Sequence, residues 1–472
     1  MIKKILLINP NFYYFPGWME NIMNYKRPIL GLAYLAAIAK KYPVDVKICD
    51  AALLNINENQ VFQGMQQFKP DIIGITVTTI TVKSARSIAI KAHQMFPEVF
   101  IIFGGPHITA LPFENLDVAD VCVIGEGEET FAELIDKCLK NNSWKTVAGI
   151  AFRKNSADII AKERALIEDL DKIPFPAREL VPRSRFQHIY PYRLKNKFYD
   201  TLLTSRGCAS QCNFCLNELM WKKRVRFRSL DNVFEEIELL IKDHCTSLLF
   251  ISDDNFTSWP ERVIEFSRRK QKYFPELKWI CHSRADCLSL DLLKEMEAGG
   301  CIEIQIGVES GDDKILDACN KDINSQKIFN AFQLFKKTKI NSWATFIIGN
   351  EGETKESIEK TIAFSKKIDP VYSTFLFLSP LPGSKCFKHF KDKGYIKTYD
   401  WAKYSWHGEP VFETETLSKN LLLNLRKKAY IQFYLRPRSF RYFWPYIVAR
   451  QWRLMFSNAL LLLKFILGKI RK

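Results

Sequence analysis

Apolar residues along the first 140 positions recur in a pattern that predicts alternating strands and helices. Short runs rich in Val and Ile predict five strands, at 4–8, 44–49, 71–77, 99–103 and 121–124. Apolar positions at helical spacing predict helices between them, at 29–41, 81–95 and 129–140. Strands that are almost continuously apolar and separated by helices are typical of a parallel sheet covered on both faces. The pattern therefore predicts an N-terminal Rossmann-like α/β domain over residues 1–140.

The same alternation resumes near residue 196, after a segment that is rich in proline. Residues 141–195 contain a hairpin-like pair of apolar runs and four prolines, which together predict a linker. Six further strands are predicted at 201–205, 248–252, 279–282, 302–307, 343–348 and 372–378. The helices predicted between them lie at 230–244, 261–273, 290–298, 326–337 and 355–367.

Helix starts in this second region are marked by polar residues. Ser258-x-x-Glu261 has the spacing of a capping box, and Ser289 and Thr354 each precede a helical pattern. Six strand–helix units predict a partial (β/α)6 barrel over residues 196–410. Ligands of such barrels lie at the carboxyl ends of the strands.

The net charge of +17 is concentrated at the C-terminal end of the 472-residue chain. No Asp or Glu follows Glu415, whereas thirteen of the 69 Lys and Arg residues lie between Lys419 and Lys472. The remainder has 56 basic and 52 acidic residues and is close to neutral. A nucleic-acid-binding body is therefore not expected.

Residues 411–472 are predicted to form a basic, aromatic and helical C-terminal extension. On a helix over 449–472, Arg450 and Arg453 fall on one side and Trp452 and Phe456 on the other, while Lys464 interrupts the apolar run. Such a helix is too polar to span a bilayer but could lie on an anionic membrane surface. The alternative is a helix packed on the barrel with a solvated basic face.

The N-terminus and the cysteines predict a cytoplasmic protein. The first ten residues lack the long apolar region and the cleavage site of a signal peptide. Cysteines inside strand-like runs, such as Cys122 and Cys281, are typical of reduced and buried thiols. With the basic tail, this predicts a cytoplasmic location with peripheral contact to the inner face of the membrane.

Three cysteines directly follow the first predicted barrel strand, in the pattern Cys208-x3-Cys212-x2-Cys215. Thiolates at this spacing converge on one metal centre, and three protein ligands leave a fourth position open. Spacing alone also permits a structural zinc loop with a distant fourth ligand, or chance clustering among twelve cysteines. The position at the carboxyl end of the first barrel strand favours a catalytic cluster.

Polar or glycine-bearing loops follow the other five predicted strands, at 253–255, 282–284, 307–311, 349–354 and 379–383. Together with the cysteine motif, in which the aromatic Phe214 precedes the third cysteine, they resemble the radical SAM family over roughly 200 residues. The loop at Gly349 departs from the frequent G-x-P-G-E-T form, because Glu351 stands where proline is common.

This resemblance implies a [4Fe-4S] cluster on Cys208, Cys212 and Cys215. Its remaining iron would bind the amino and carboxylate groups of S-adenosylmethionine. The side chains implied to contact S-adenosylmethionine are Phe214, Asp254, Arg284, Glu309 and Ser310. For the polar members of this set, a role in helix capping or in an internal ion pair is the alternative.

Four segments of the first domain, at 27–37, 70–76, 103–110 and 125–128, resemble in order the cobalamin-binding domain of B12-dependent radical SAM enzymes. The resemblance implies a cobalamin site formed by Gly31, Thr76, Gly104, Gly105, His107, Gly125, Glu126 and Gly127. No D-x-H-x-x-G motif is present, so a site without a histidine ligand below the cobalt is implied. A structural role for His107 is the alternative. The first strand is not followed by G-x-G-x-x-G, which argues against a dinucleotide site.

The combined resemblance implies a B12-dependent radical SAM methyltransferase that acts on an unreactive carbon or phosphorus centre. The implied partners are a small-molecule or lipid-like substrate and an electron donor such as flavodoxin or ferredoxin. A radical cyclase, rearrangement or oxidation enzyme without methyl transfer is the first alternative. A non-enzymatic B12- or zinc-binding regulatory protein is the second. The sequence predicts no particular catalytic residue.

Overall fold

The structure, a computed structural model, describes residues 2–12, 29–182, 188–189, 192–193 and 198–437. Seven strands form a first sheet: β1 (Lys4–Asn9), β2 (Asp45–Asp50), β3 (Ile72–Thr76), β4 (Phe100–Gly104), β5 (Val121–Val123), β6 (Ile150–Lys154) and β7 (Ala157–Ile160). Their order is β2-β1-β3-β4-β5-β6-β7, and the first five are parallel. The predicted Rossmann-like sheet is confirmed.

Helices cover both faces of this sheet. Those in the described residues are α1 (Leu30–Ala39), α2 (Ala51–Leu54), α3 (Glu58–Phe68), α4 (Val82–Met95), α5 (Pro106–Ala110) and α6 (Glu128–Leu139). Leu6 and Ile8 of β1 pack in one apolar core, and Ile5 and Leu7 pack in another. This two-sided burial is the reason that the strand is apolar at every one of these positions.

The hairpin β6–β7 belongs to the first sheet, so the expectation that it lies in the linker is wrong. β6 pairs antiparallel with β5 through Cys122 with Ala151 and Val123 with Ile150. Burial of Ile150, Ala151 and Phe152 explains this addition, because the apolar run covers the exposed edge of β5. The first sheet thus extends to Ile160, beyond the predicted boundary at 140.

Six parallel strands form the second sheet. Two short pairs, β8 (His188–Ile189) with β9 (Tyr192–Arg193) and β11 (Ser205–Arg206) with β12 (Arg226–Phe227), lie outside it. Its members, in spatial order, are β10 (Phe198–Leu202), β13 (Thr246–Ile251), β14 (Lys278–Ser283), β15 (Cys301–Glu309), β16 (Asn341–Ile348) and β17 (Tyr372–Phe377). Each neighbouring pair is parallel, which confirms the predicted partial barrel.

Helices join the strands of the second sheet. They are α7 (Asn217–Trp221), α8 (Leu230–Lys242), α9 (Pro260–Tyr273), α10 (Leu290–Ala298), α11 (Asp313–Ala318), α12 (Ser325–Phe335), α13 (Lys355–Ile368) and α14 (Lys385–Asp392). Ser289 and Thr354 cap α10 and α13 as predicted. The predicted capping box at Ser258 is wrong. Helix α9 begins at Pro260 after Trp259, without a side-chain cap, because proline supplies the helical φ at this first position.

The C-terminal extension begins as part of the barrel. Helix α15 (Lys419–Tyr434) lies against β17, where the Tyr430 and Tyr434 hydroxyls accept hydrogen bonds from the Phe375 and Ser373 amides, at 3.2 and 3.0 Å. The predicted amphipathic helix at 449–472 lies outside the described residues. Among the helices that are described, none has the length and apolarity needed to cross a bilayer.

The first domain and the barrel share a buried apolar contact. Ala33 and Leu53 of the first domain pack in one cluster with Tyr199, Phe250 and Ile280, which lie on the first three barrel strands. The first domain thus sits directly against the barrel, and the carboxyl ends of both sheets are held in a fixed relation.

Beside this contact, Arg178 of the connecting segment is buried in the barrel wall. Its guanidinium binds the carboxylates of Asp200 and Glu236, and it donates to the Thr201 carbonyl at 2.8 Å. A buried charge of this kind is stable only when it is paired on several sides.

Candidate functional site

The cysteine loop starts where β10 ends, and a buried carboxylate at the end of β13 sets its course. Asp253 accepts hydrogen bonds from the Thr204 amide at 2.7 Å and from the Thr204 and Ser205 hydroxyls at 2.6 Å each. These bonds turn the chain away from the sheet, so the predicted strand 201–205 ends at Leu202. Ser205 then pairs antiparallel with Phe227 of β12.

Gly207 lets the loop pass against the neighbouring chain. Its φ is +95°, a value that favours glycine, and a Cβ placed there would lie 2.0 Å from the Arg224 carbonyl oxygen. No other residue fits this position without a shift of backbone. The cysteines therefore follow a tightly specified turn.

Three elements hold the cysteine loop from outside. The Asn217 side-chain oxygen accepts from the Cys208 amide at 3.0 Å, and the Asn213 amide donates to the Cys319 carbonyl at 3.0 Å. The amide of Cys386, at the start of α14, donates to the Asn213 carbonyl at 2.9 Å. The loop is thus fixed on either side of Cys212, as a rigid ligand site requires.

The cysteine side chains are free thiols next to one another. Burial raises the pKa of Cys215 to about 11 and raises that of Cys212, although Lys321 acts on Cys212 in the opposite direction. The described residues contain no group of three or more His, Cys, Asp or Glu side chains already gathered around a metal position. Ligation of a metal would remove the protons of these thiols.

Charged side chains surround the cysteine loop at the mouth of the barrel. Glu309, with a φ of +66°, folds its carboxylate beside Gly307 and binds Lys321 at 2.7 Å. Arg284 binds Asp286 through Nε and Nη2, at 3.0 and 2.8 Å, and Nη2 also donates to the Lys321 carbonyl at 2.7 Å. Burial lowers the pKa of Arg284, but the Asp286 carboxylate more than offsets this.

The remaining residues predicted to contact S-adenosylmethionine differ in accessibility. Asp254 is exposed at the mouth but crowded by protein atoms, and this crowding together with the Asp253 charge raises its pKa. Phe214 packs partly against the barrel core. The Ser310 hydroxyl is buried, lies 3.0 Å from the Thr361 hydroxyl and accepts from the Asp312 amide. It therefore holds the turn after β15 rather than facing the mouth.

At the carboxyl edge of the first sheet, the predicted glycines differ in how closely they are packed. Gly105, with φ +107°, is packed so closely that a Cβ would lie 2.8 Å from the Val77 carbonyl oxygen and 3.3 Å from the Thr76 hydroxyl. By contrast, a Cβ on Gly31 or on Gly125 (φ +80°) would meet nothing within 4 Å. Open space at these two glycines fits the close approach of a large planar ligand.

The other two predicted glycines, Gly104 and Gly127, make ordinary contacts. A Cβ on Gly104 would lie 3.8 Å from Val123, and one on Gly127 would lie 3.6 Å from Leu35. Neighbouring side chains already occupy the space next to these two glycines, so they do not open onto the carboxyl edge.

His107 is enclosed by protein. Its ring nitrogens lie 3.2 Å from the Thr79 hydroxyl and 3.0 Å from the Glu114 carboxylate, and its ring packs edge-on against Trp401. Trp401 also donates to Glu114 at 2.5 Å. Burial raises the pKa of Glu114, but the hydrogen bonds from His107 and Trp401 outweigh it and leave the pKa lowered. His107 therefore joins the first domain to the segment after the barrel, which supports the structural alternative.

Glu126 connects the two halves of the site. Its carboxylate binds Arg206 at 2.6 Å and Arg226 at 2.7 Å, and accepts from the Ile167 amide at 2.9 Å. The other arm of Arg206 binds Glu128 at 2.5 Å. Arg206 lies two residues before Cys208, so the acidic loop after β5 is bound directly to the base of the cysteine loop.

Arg206, Glu128 and Lys321 were not predicted as site residues from the sequence. The partners of Arg206 are about 80 residues away in the chain, and no periodic pattern reports such a pairing. The local sequence offered two signals. Glycine and glutamate alternate in Gly125-Glu126-Gly127-Glu128, and Arg206 lies two residues before the first cysteine of the motif.

The donor set fits the groups implied by the resemblance. Three soft thiols on a clamped loop suit an iron–sulfur cluster with one open position. Glycines that open onto the carboxyl edge of the first sheet suit a flat macrocycle. Both edges face the same interdomain region, because Arg206 ties one to the other.

Family models match both parts of the chain. Residues 24–135 match the B12 binding domain, and residues 202–365 match the Radical SAM superfamily. An uncharacterized methyltransferase of Pyrococcus horikoshii is 32% identical over 93% of this chain and 94% of its own length. The chain belongs to the B12-binding radical SAM family.

The chain is also similar to a curated enzyme and to a solved structure. The anaerobic magnesium-protoporphyrin IX monomethyl ester cyclase of Rubrivivax gelatinosus is 28% identical over 93% of this chain and 79% of its own length. The cobalamin-dependent radical SAM enzyme OxsB, solved with aqua-cobalamin and S-adenosylmethionine, has a similar fold. Its TM-score is 0.71 at 17% identity, over 96% of this chain and 72% of that one.

Proposed function

We propose that this protein is a cobalamin-dependent radical SAM methyltransferase that alkylates an unactivated carbon or phosphorus centre of a small molecule. The observation that carries the proposal is the Glu126–Arg206 contact. It binds a loop of the B12-binding domain to the loop of the three cysteines, so that the two cofactor sites face one reaction space. A methyl donor and a radical initiator must both reach the same substrate atom, and this contact holds their sites together.

The residues of the chain have distinct roles in this proposal. Cys208, Cys212 and Cys215 would ligate the [4Fe-4S] cluster. Asp254, exposed at the mouth, is suited to accept a hydrogen bond from the amino group of S-adenosylmethionine. Bound at these positions, the cluster with S-adenosylmethionine supplies a hydrogen-abstracting radical, and cobalamin supplies a methyl group.

The barrel wall contributes orientation and exclusion of water. Lys321 holds Glu309 at the mouth in a buried pair, at 2.7 Å, so the carboxylate points in one direction and is shielded from bulk solvent. Fixed charges in such a site act without reorganisation when the ligand binds. We propose that Glu309 accepts hydrogen bonds from the ribose hydroxyls.

Isotope transfer tests the reaction. The enzyme is reconstituted anaerobically with iron, sulfide and cobalamin, and is given S-adenosylmethionine whose methyl group is deuterated. Candidate small molecules, chosen from the products of neighbouring genes, are added. Label in the product is expected. Formation of 5′-deoxyadenosine with product that lacks the label contradicts methyl transfer.

A radical cyclase is the second candidate, because the relative from Rubrivivax gelatinosus covers nearly the whole chain. The same experiment separates the two. A cyclase would form 5′-deoxyadenosine and a product without added mass from methyl. A Cys208→Ala/Cys212→Ala/Cys215→Ala variant that still takes up iron and sulfide would contradict both candidates.

The proposal also includes two partners. The cluster must be reduced by an external donor of one electron, such as flavodoxin or ferredoxin. The basic C-terminal extension supports a location in the cytoplasm with contact to anionic lipid, which suits a lipid-like substrate as one of the possible small molecules.

A further inference from the structure

A group of exposed and half-exposed lysines lies on the outer side of the cysteine loop. We call it the basic face; its members are Lys222, Lys223, Lys385, Lys388 and Lys391. The first two follow α7 and the other three lie on α14. Both helices flank the loop that carries the cysteines.

Direct contacts join the basic face to the cysteine loop. The Lys223 ammonium lies 3.3 Å from the Gln211 side-chain oxygen. Helix α14 is attached through the Cys386 amide, which donates to the Asn213 carbonyl at 2.9 Å. Gln211 and Asn213 are the neighbours of Cys212. The basic face is therefore part of the surface next to the three cysteines.

The acids nearby neutralise this face only in part, since Lys222 binds Glu163. Lys223 and Lys385 share a single carboxylate, that of Glu218, with each ammonium 3.1 Å from it. Lys388 and Lys391 are exposed, and neither forms an ion pair with any residue in the described ranges. The body of the chain as a whole is close to neutral, so this face carries a local excess of positive charge.

We propose that the basic face docks an acidic one-electron carrier protein with a low-potential iron–sulfur or flavin centre. This inference rests on the proposed function and identifies where its electron enters. For each electron accepted at the cysteine loop, the centre of the carrier is oxidised by one electron. Complementary charge speeds such short-lived encounters, while position beside the cysteine loop favours a redox protein over a membrane as the occupant.

Charge reversal tests the docking. The reconstituted full-length enzyme is compared with its Lys388→Glu/Lys391→Glu variant, because both side chains are exposed and make no ion pair with the described residues that the change would break. The probes are an acidic [2Fe-2S] ferredoxin and an acidic flavodoxin, titrated by calorimetry at low and at high salt. We expect the variant to bind about tenfold more weakly at low salt, with a smaller loss of affinity on adding salt.

The matched control is Lys336→Glu/Lys337→Glu. These exposed lysines follow α12 and precede β16, at the amino edge of the barrel, opposite the cysteine loop. The same change of charge there should leave carrier binding unaltered.

A kinetic measurement separates docking from the chemistry. Formation of 5′-deoxyadenosine is driven either by the reduced carrier or by dithionite, a small reductant that needs no docking. The ratio of the two rates should fall in Lys388→Glu/Lys391→Glu and stay constant in the control. No 5′-deoxyadenosine even with dithionite would overturn the proposed function while leaving the binding result standing. Equal carrier binding by all three proteins, or binding of the basic face to anionic vesicles and not to either carrier, would overturn the docking proposal.

Discussion

At the scale of single residues, Gly207 is the position where the cysteine loop tolerates least change. Two features restrict this position. Its φ is +95°, and the Arg224 carbonyl oxygen lies 2.0 Å from where a Cβ would be. We predict that Gly207→Ala destabilises the protein by more than the ~1–3 kcal/mol of a strained φ alone, and that the reconstituted variant holds less than half the iron of the parent. Thermal unfolding and iron analysis measure the two effects.

Gly352→Ala is the control for this substitution. Gly352 also has a positive φ, of +74°, but a Cβ there meets nothing within 4 Å. Only the cost of the positive φ should appear in the stability of this variant, and its iron content should be unchanged. Equal iron loss in both variants would show that the Arg224 contact is irrelevant.

Glu353 is buried in the turn after β16 and gives a second prediction at this scale. Burial raises its pKa to about 8, although the Gly349 and Asn350 amides donate to it at 2.5 and 3.0 Å. Between about 4.5, the ordinary value, and about 8, the folded protein keeps a proton that the unfolded chain has released. The free energy of unfolding should therefore fall as the pH rises through this window and level off above it.

Glu353→Gln removes this dependence. The difference in melting temperature between the variant and the parent should therefore increase in favour of the variant from pH 5 to pH 8.5. The exposed Glu356→Gln serves as the control and should show no such gain, because the pKa of this carboxyl lies below its ordinary value of 4.5. A parallel pH profile for parent and Glu353→Gln would contradict the raised pKa.

The residue types of the site were readable from the sequence, whereas their partners were not. Glu309 and Arg284 were predicted as ligand contacts from their places after strands. In the structure, Glu309 is paired with Lys321 and Arg284 is paired with Asp286. Ser310 shows the limit most clearly, because its position after β15 is as predicted but its hydroxyl is used by Thr361 on α13.

At the scale of elements, Arg206 couples the loop after β5 to the cysteine loop. Arg206→Met leaves Glu128 without this partner, and breaking a buried pair costs ~3–5 kcal/mol. We predict that cobalamin affinity and iron content fall together in this variant. Arg206→Lys keeps the positive charge but lacks the two-armed guanidinium. It should recover part of the cobalamin affinity and part of the iron content. Cobalamin titration followed by absorbance and iron analysis provide the measurements.

Arg224→Met provides the comparison for this coupling. Arg224 binds Glu168 through both arms, but both side chains are more than half exposed. Its loss should change stability by no more than about 1 kcal/mol and leave cofactor binding intact. A variant of Arg206 that loses stability yet binds cobalamin as tightly as the parent would argue against the coupling.

Element types and order were predictable because most of the parallel strands of both sheets are buried on both faces. Helix α3 was not singled out, since only Val61, Met65 and Phe68 of its eleven residues are buried and the remainder is largely polar. The hairpin β6–β7 was misplaced for a different reason. Its apolar run is short, and its burial depends on pairing with β5, a partner that local sequence does not identify.

At the scale of the whole molecule, the basic extension can be separated from the barrel only beyond α15. A truncation within this helix would remove Tyr430 and Tyr434, which bind the backbone of β17. We predict that a chain ending at Pro437 folds, takes up iron as the full chain does, and loses binding to anionic vesicles. Residues 438–472 contain eight basic and no acidic residues, which supports this outcome.

Sedimentation with vesicles of anionic and of neutral lipid is the measurement. The full-length protein should bind only the anionic vesicles, and more weakly as salt is added. Equal binding by the truncated and full-length proteins would contradict membrane contact through the extension.

The buried Arg178 has a consequence for how such proteins can be recombined. Because its partners Asp200 and Glu236 belong to the barrel, Arg178 is energetically part of the barrel, although the adjacent Ala177 packs in the core of the first domain. A crossover that exchanges B12-binding domains between relatives should therefore fall before Arg178. A junction placed later would bring in a foreign segment and strand two carboxylates inside the wall of the recipient. An exchange of domains between members of the family should thus give a folded protein only when Arg178 is inherited together with Asp200 and Glu236.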